Sequence, residues 1–279
     1  MTGLHSLDVH RHVGMGTDEY DLFVVPPAGG TSAWAAQWAA SEGGEGGAAI
    51  LSPPPFYKLT NGLEDTRRLN ELMAALVAEG GDGTVAACGT VEPHHGDAAL
   101  PEIDRMAREL GLKGVVWRHR AQGIYADHPV MYRFVARALD NGLVPMVHAT
   151  LSTNETLWRY RKMADKFAGH AIVVLGALYE WDQKLEILAE PEAAPNLIYD
   201  TAQVTAPSII EEMVAILGEH RLVFGSGFEY RPGPLALAES ARAILQAKLG
   251  DEARRKVMAG NAAALFGLEA AVREAGMAQ

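Results

Sequence analysis

Eight short apolar runs, separated by longer loop or amphipathic stretches, organise this chain of 279 residues. The runs are Leu7–His12, Ala48–Ser52, Thr84–Val91, Gly114–Trp117, Leu143–His148, Ala171–Leu175, Asn196–Tyr199 and Arg221–Phe224. Most are rich in Val, Ile and Leu and flanked by Gly, Pro or Asn, the pattern of strands buried on both faces. Helical periodicity is clearest over Glu64–Glu79, Leu100–Leu110, Pro129–Asn141, Asn154–Phe167, Glu180–Glu190, Pro207–Leu217 and Leu235–Leu249. In Leu100–Leu110, Ile103, Met106, Ala107 and Leu110 form one apolar face, and Gly111 supplies the helix stop. Eight strand–helix units in a chain of this length predict a single (β/α)8 TIM barrel, with an additional C-terminal helix over Asp251–Phe266. An open doubly wound sheet usually carries a glycine-rich phosphate loop after its first strand. Here the first run ends in His-Arg-His, and no such loop follows.

Composition narrows the function classes. With 48% hydrophobic residues the chain can bury enough surface to offset its ordering entropy, so disorder is excluded. The 35 Asp and Glu against 24 Lys and Arg leave a net charge of −11, which repels phosphate backbones and anionic membranes. Nucleic acid is therefore not an expected partner. The longest apolar run, Ala171–Leu178, is far short of a bilayer span, and the N-terminus lacks the regions of a secretory signal. Cys88 is the single cysteine, so no intrachain disulfide forms. A cytoplasmic protein is expected.

In a parallel barrel the chemistry collects at the C-terminal ends of the strands. The first run carries Asp8, His10 and His12, whose i, i+2, i+4 spacing predicts one shared strand face. Two imidazoles so placed can reach a single metal ion. The fifth run ends a buried strand on His148, where an imidazole needs a ligand or a hydrogen-bond partner. The fourth ends in Trp117, Arg118, His119 and Arg120; arginines there suit bidentate binding of a substrate carboxylate, or a salt bridge to a neighbouring acid. Asp200 follows the seventh run and Glu229 the eighth. Gly14–Thr31 leaves the first strand on the active-site side and is expected to cover the pocket.

Six segments together carry a family likeness. Leu7–Gly14 (LDVHRHVG) resembles an (I/V)DxHxHxG opening, and Leu110–Val115 (LGLKGV) an ELGxKGV segment. Val144–His148 resembles a strand ending on its pocket histidine, and Asn196–Thr201 (NLIYDT) an NxYxD(T/S) strand. Arg221–Ser226 (RLVFGS) resembles R(L/I)xFGSD, and Gly260–Leu268 (GNAAALFGL) a closing GNAxRLFGL helix. In this order they resemble the amidohydrolase superfamily, in its branch of decarboxylases, hydratases and lactonases. The resemblance implies one domain over residues 1–279 and a divalent metal, zinc by ligand type, held by His10, His12 and His148.

Two departures qualify that implication. The family's sixth strand normally ends in a histidine, and here Gly176 or Ala177 takes its place. The aspartate expected after FGS is Gly227. The usual hydrolase mechanism therefore lacks its base. Three readings follow. In the first, the histidines bind metal, Trp117, Arg118 and Arg120 bind a small cyclic or aromatic carboxylic acid, Glu229, Asp200 or Glu180 is the substitute base, and His119 an acid. This reading covers decarboxylation, C–C or C–O cleavage, or lactone hydrolysis. In the second, no metal binds and the same groups perform acid–base work as a lactonase, cyclase, isomerase or dehydratase. In the third, the barrel only binds. A homodimer is compatible with the sequence, and the Trp-containing segment Thr31–Ala40 reads equally as its contact face and as a helix packed on the barrel.

Overall fold

The computed structural model describes residues 6–13, 23–24, 48–79, 83–149, 152–227 and 234–274. Segments Gly14–Thr31 and Thr31–Ala40 lie largely or wholly outside them, as does Glu229. The eight expected strands form one parallel sheet: β1 Leu7–His12, β2 Ala48–Ser52, β3 Thr84–Gly89, β4 Gly114–Trp117, β5 Val144–His148, β6 Ile172–Leu175, β7 Leu197–Asp200 and β8 Leu222–Val223. Each strand pairs with the next in chain order. The sheet curls until its ends meet, where the Val9 N–H donates to the Phe224 carbonyl (3.0 Å) and the Gly227 N–H to that of His10 (3.2 Å). The result is the expected (β/α)8 barrel.

Helices alternate with the strands. They are α1 Leu63–Glu79, α2 Leu100–Arg108, the single turn α3 His119–Gln122, α4 Pro129–Asp140, α5 Leu157–Lys166, α6 Trp181–Ala189, α7 Pro207–Leu217 and α8 Pro234–Gln246. Strand alternation then divides the core in two. Leu7, Ile50, Cys88, Val116, Met146, Val173 and Val223 fill the lumen, together with Ala262 and Phe266 from the C-terminal segment. Leu51, Val115, Trp117, Val147, Val174 and Phe224 instead face the helix layer. The C-terminal segment runs as α9 Asp251–Arg255, a π turn Lys256–Gly260, and α10 Asn261–Phe266. It seals the barrel floor, and Asn261 anchors it by donating to the carbonyls of Glu219 and Leu222, both at 2.7 Å.

One irregularity sets the site. Leu7 pairs with Ala48 and Asp8 with Ala49, but Arg11 pairs with Leu51 and His12 with Ser52, so the register shifts by one residue between Asp8 and Arg11. This β-bulge resets the alternation. The expected common face for Asp8, His10 and His12 is therefore broken. Asp8 lies below the bulge, where Oδ1 accepts the N–H groups of His10 (3.0 Å) and Ser226 (2.9 Å). His10 and His12 lie above it, at the mouth of the lumen.

Candidate metal centre

The structure brings His10, His12 and His148 together, all buried, with one ring nitrogen from each within 4.8 Å of the others. Two of the rings are oriented through Nδ1. Nδ1 of His10 donates to Asp200 Oδ2 at 2.5 Å, and Nδ1 of His12 to the Pro53 carbonyl. Both tautomers are thereby set with the Nε2 lone pair toward the third ring. His12 Nε2 lies 3.1 Å from His148 Nε2. Nitrogens sharing one tetrahedral ion at about 2.0–2.1 Å stand about 3.3 Å apart, so the donor set fits a divalent metal. Burial first, and then the charge of nearby Arg118, push His148 well below its usual pKa, and a metal-ligating imidazole must be neutral.

Asp200 leaves β7 at the C-terminal end of the barrel, fully buried. Its Oδ1 accepts the Gly176 N–H at 2.7 Å, so one of the two residues in the place of the expected histidine serves this carboxylate through its backbone. Both oxygens of Asp200 are thus engaged, Oδ2 by the His10 ring and Oδ1 by the Gly176 backbone. Gly225 makes room for the pair: a Cβ there would lie 2.6 Å from Asp200 Oδ2 and 2.9 Å from the His10 Cβ. Gly227 has φ +66°, and a Cβ there would lie 3.0 Å from both Ala202 and Gln203. An aspartate at 227 would carry the strain of a left-handed backbone and press its Cβ on both neighbours.

The remaining expected residues divide. Arg118 continues the lumen-facing parity of Val116, is almost fully buried beside His148, and places its guanidinium 4.3 Å from the Phe56 ring centroid. Arg120 is not brought to the site; its side chain is exposed, and its backbone N–H donates to Glu155 at 2.8 Å. Trp117 is not brought there either, because it alternates with Arg118 and is buried against the helix layer. His119 is fully buried, with Nδ1 3.3 Å from the Tyr160 hydroxyl, which itself donates to the His148 carbonyl. Burial lowers the His119 pKa to about 3, so at neutral pH it lacks the imidazolium proton that the expected acid would give.

A cavity opens beside His10 and His148 and is walled by Leu175, Gly176, Tyr179, Glu180, Ala202 and Gln203. Among the described residues that line it, Glu180 is the one with a carboxyl side chain. Burial, and then the charge of Asp182, raise the Glu180 pKa. Phe56, Pro53 and Gly225 escaped the sequence reading. Pro53 acts only through its carbonyl, which has no residue signature, whereas Gly225 stood in view within the FGS segment.

The family profile described as amidohydrolase matches residues 56–268. No curated protein sequence matches the chain significantly. Among solved structures, 5-carboxyvanillate decarboxylase from Sphingomonas paucimobilis superimposes with a TM-score of 0.67 at 19% identity, over 95% of this chain and 99% of the other. The enzyme of the same name from Novosphingobium aromaticivorans, complexed with manganese and 4-hydroxy-3-methoxy-5-nitrobenzoic acid, gives 0.67 at 16% over 95% and 97%. 2,6-Dihydroxybenzoate decarboxylase from Rhizobium gives 0.66 at 14% over 96% and 100%. These likenesses are of fold.

Proposed function

Because the chain belongs to the amidohydrolase family, we propose that it decarboxylates a small aromatic carboxylic acid, using one divalent metal held by His10, His12 and His148. The observation that carries this reading is the convergence of three buried imidazoles, two of them oriented through Nδ1. Three nitrogen ligands without a thiolate favour zinc, and manganese is the competitor because it occupies a structural neighbour. A divalent ion at this position would draw electron density from a substrate oxygen.

The chain's own groups supply the rest. Arg118 pairs with the substrate carboxylate, and Asp200 holds His10 in its ligating tautomer. When the C–C bond to the carboxylate breaks, CO2 departs and the bonding pair stays on the ring carbon. That carbon then takes a proton. Glu180 donates it, because it is the titratable carboxyl on the cavity wall and its raised pKa keeps it protonated longer than an ordinary glutamate. Decarboxylation is preferred to lactone opening because the fold neighbours are named for aromatic acid decarboxylases.

The test is metal analysis of protein purified without added metal and again after zinc or manganese loading, with CO2 release measured on a panel of hydroxylated and methoxylated benzoates. One equivalent of metal and turnover of a panel member are expected. Failure to bind either ion sinks the metal reading; a loaded protein inert toward the whole panel sinks the substrate reading.

A further inference from the structure

A second cavity lies at the same end of the barrel, with no lining residue in common with the cavity beside His10 and His148. It is lined by Tyr57, Leu59, Glu92, His95, Ala121 and Gln122. These residues come from the β2–α1 loop, the turn after β3, and α3. Three buried polar atoms of that lining have no hydrogen-bond partner among the described residues: Glu92 Oε1, Gln122 Oε1 and His95 Nε2. Leaving such groups unpaired costs about 1–3 kcal/mol each, so whatever fills the cavity, solvent or ligand, has to satisfy them.

The chemistry of the lining specifies that ligand. Gln122 Nε2 donates to the Tyr57 hydroxyl and to the Val91 carbonyl, both at 3.1 Å. A carbonyl only accepts, so the amide orientation is fixed and Oε1 is left as an acceptor. Ionised Glu92 offers a second acceptor and a negative charge. No cation among the described residues neutralises it, and the stretches 14–22 and 25–47, which lie outside them, contain no Lys, Arg or His. Tyr57 stays protonated, because burial and then the charge of Glu92 raise its pKa. Burial, followed by adjacent His94, lowers the His95 pKa. His94 Nε2 itself donates to the backbone carbonyl of Gln122 at 2.7 Å. The Gln122 side chain also hydrogen-bonds Glu92, which places the two together on one wall. Two oxygen acceptors on that wall, one of them able to carry charge, against the small apolar surfaces of Leu59 and Ala121 match a compact cation with N–H groups.

We propose that this cavity is a second binding site, which takes a small organic cation bearing N–H donors, a protonated primary amine or a guanidinium, on Glu92 and Gln122. The site is independent of the metal and of the decarboxylation proposed above. Burial raises the Glu92 pKa to about 7, so the cation binds in competition with a proton.

The experiment is calorimetric or NMR titration of the full chain with ethylammonium and methylguanidinium chlorides, with tetramethylammonium as a cation lacking N–H groups. At least one of the first two should bind saturably at one equivalent, and tetramethylammonium should not. Binding should be roughly tenfold weaker at pH 6 than at pH 8, as a carboxyl with a pKa near 7 passes from mostly ionised to mostly protonated. The Glu92→Gln variant should lose binding at least tenfold, whereas His10→Ala/His12→Ala should keep it. The pH dependence is read on the wild-type chain, so the test survives a poorly folded variant. Equal binding of tetramethylammonium, binding insensitive to pH, or no saturable binding of either N–H cation would overturn the proposal.

Discussion

At the residue scale the centre depends on ring orientation as much as on ligand identity. His148→Ala removes a proposed ligand, and loss of both the bound metal and the turnover is expected by elemental analysis and CO2 assay. Asp200→Asn keeps the shape but weakens the hold on His10 Nδ1. Metal affinity should fall about 10–100-fold in chelator competition, with stoichiometry unchanged. Glu180→Gln should behave in the opposite way, with full metal content and a kcat lowered by about 10²–10⁴-fold. An unchanged kcat would remove Glu180 from the proposed chemistry. The three histidines were legible in the sequence because imidazoles at strand ends are few and have strong requirements. Their orienting partners were less so: Asp200 stood in view with a different role assigned, and Pro53 contributes a carbonyl that any residue has.

At the scale of the elements, strand parity explains most of what the sequence reading placed and misplaced. Arg118 and Trp117 are neighbours in sequence, so alternation sends them to opposite sides of the barrel wall, and only one could reach the lumen. Arg120 lies beyond the strand, inside the α3 turn, where parity no longer applies. The common face assigned to Asp8, His10 and His12 failed because a bulge adds a residue without a composition signal. Close approach is a further property of elements. Gly225→Ala places a Cβ within 2.6 Å of the Asp200 carboxylate, and a stability loss of about 1–3 kcal/mol by urea unfolding is expected, with weaker metal binding. On the barrel floor, Phe266→Ala empties a nearly buried aromatic site and should cost about 3–5 kcal/mol in the same measurement, without altering metal content.

At the scale of the whole molecule, buried titratable groups give the metal-free protein a pH-dependent stability. His119 has its pKa lowered to about 3 in the fold, so the unfolded chain binds the extra proton between about pH 6.5 and 3. Its stabilisation is present above pH 6.5 and declines below it, by about 1.4 kcal/mol per pH unit. His148, also shifted down, acts in the same direction. Glu92 acts oppositely: its pKa is raised to about 7, so its stabilisation is full below about pH 4.5 and is lost as pH rises through 7. Two imidazoles outweigh one carboxyl, and urea unfolding should show lower stability at pH 5 than at pH 6.5. The loss should be steeper in Glu92→Gln, and a flat or rising profile toward acid would contradict this assignment of buried groups.

The closure of the barrel also orders events in time. Val9 and His10 meet the backbone of Phe224 and Gly227, so the first strand waits for one of the last strands to be made. During synthesis on the ribosome β1 is paired on one side only, and contacts this distant in sequence form late. His10, His12 and His148 all emerge before Asp200 does, so an ion met early by the nascent chain would find its three nitrogens before the carboxylate that steadies them. If the proposed metal binds, ions of the wrong kind would have that interval in which to enter, until residues 200–227 bring the carboxylate that fixes the His10 ring.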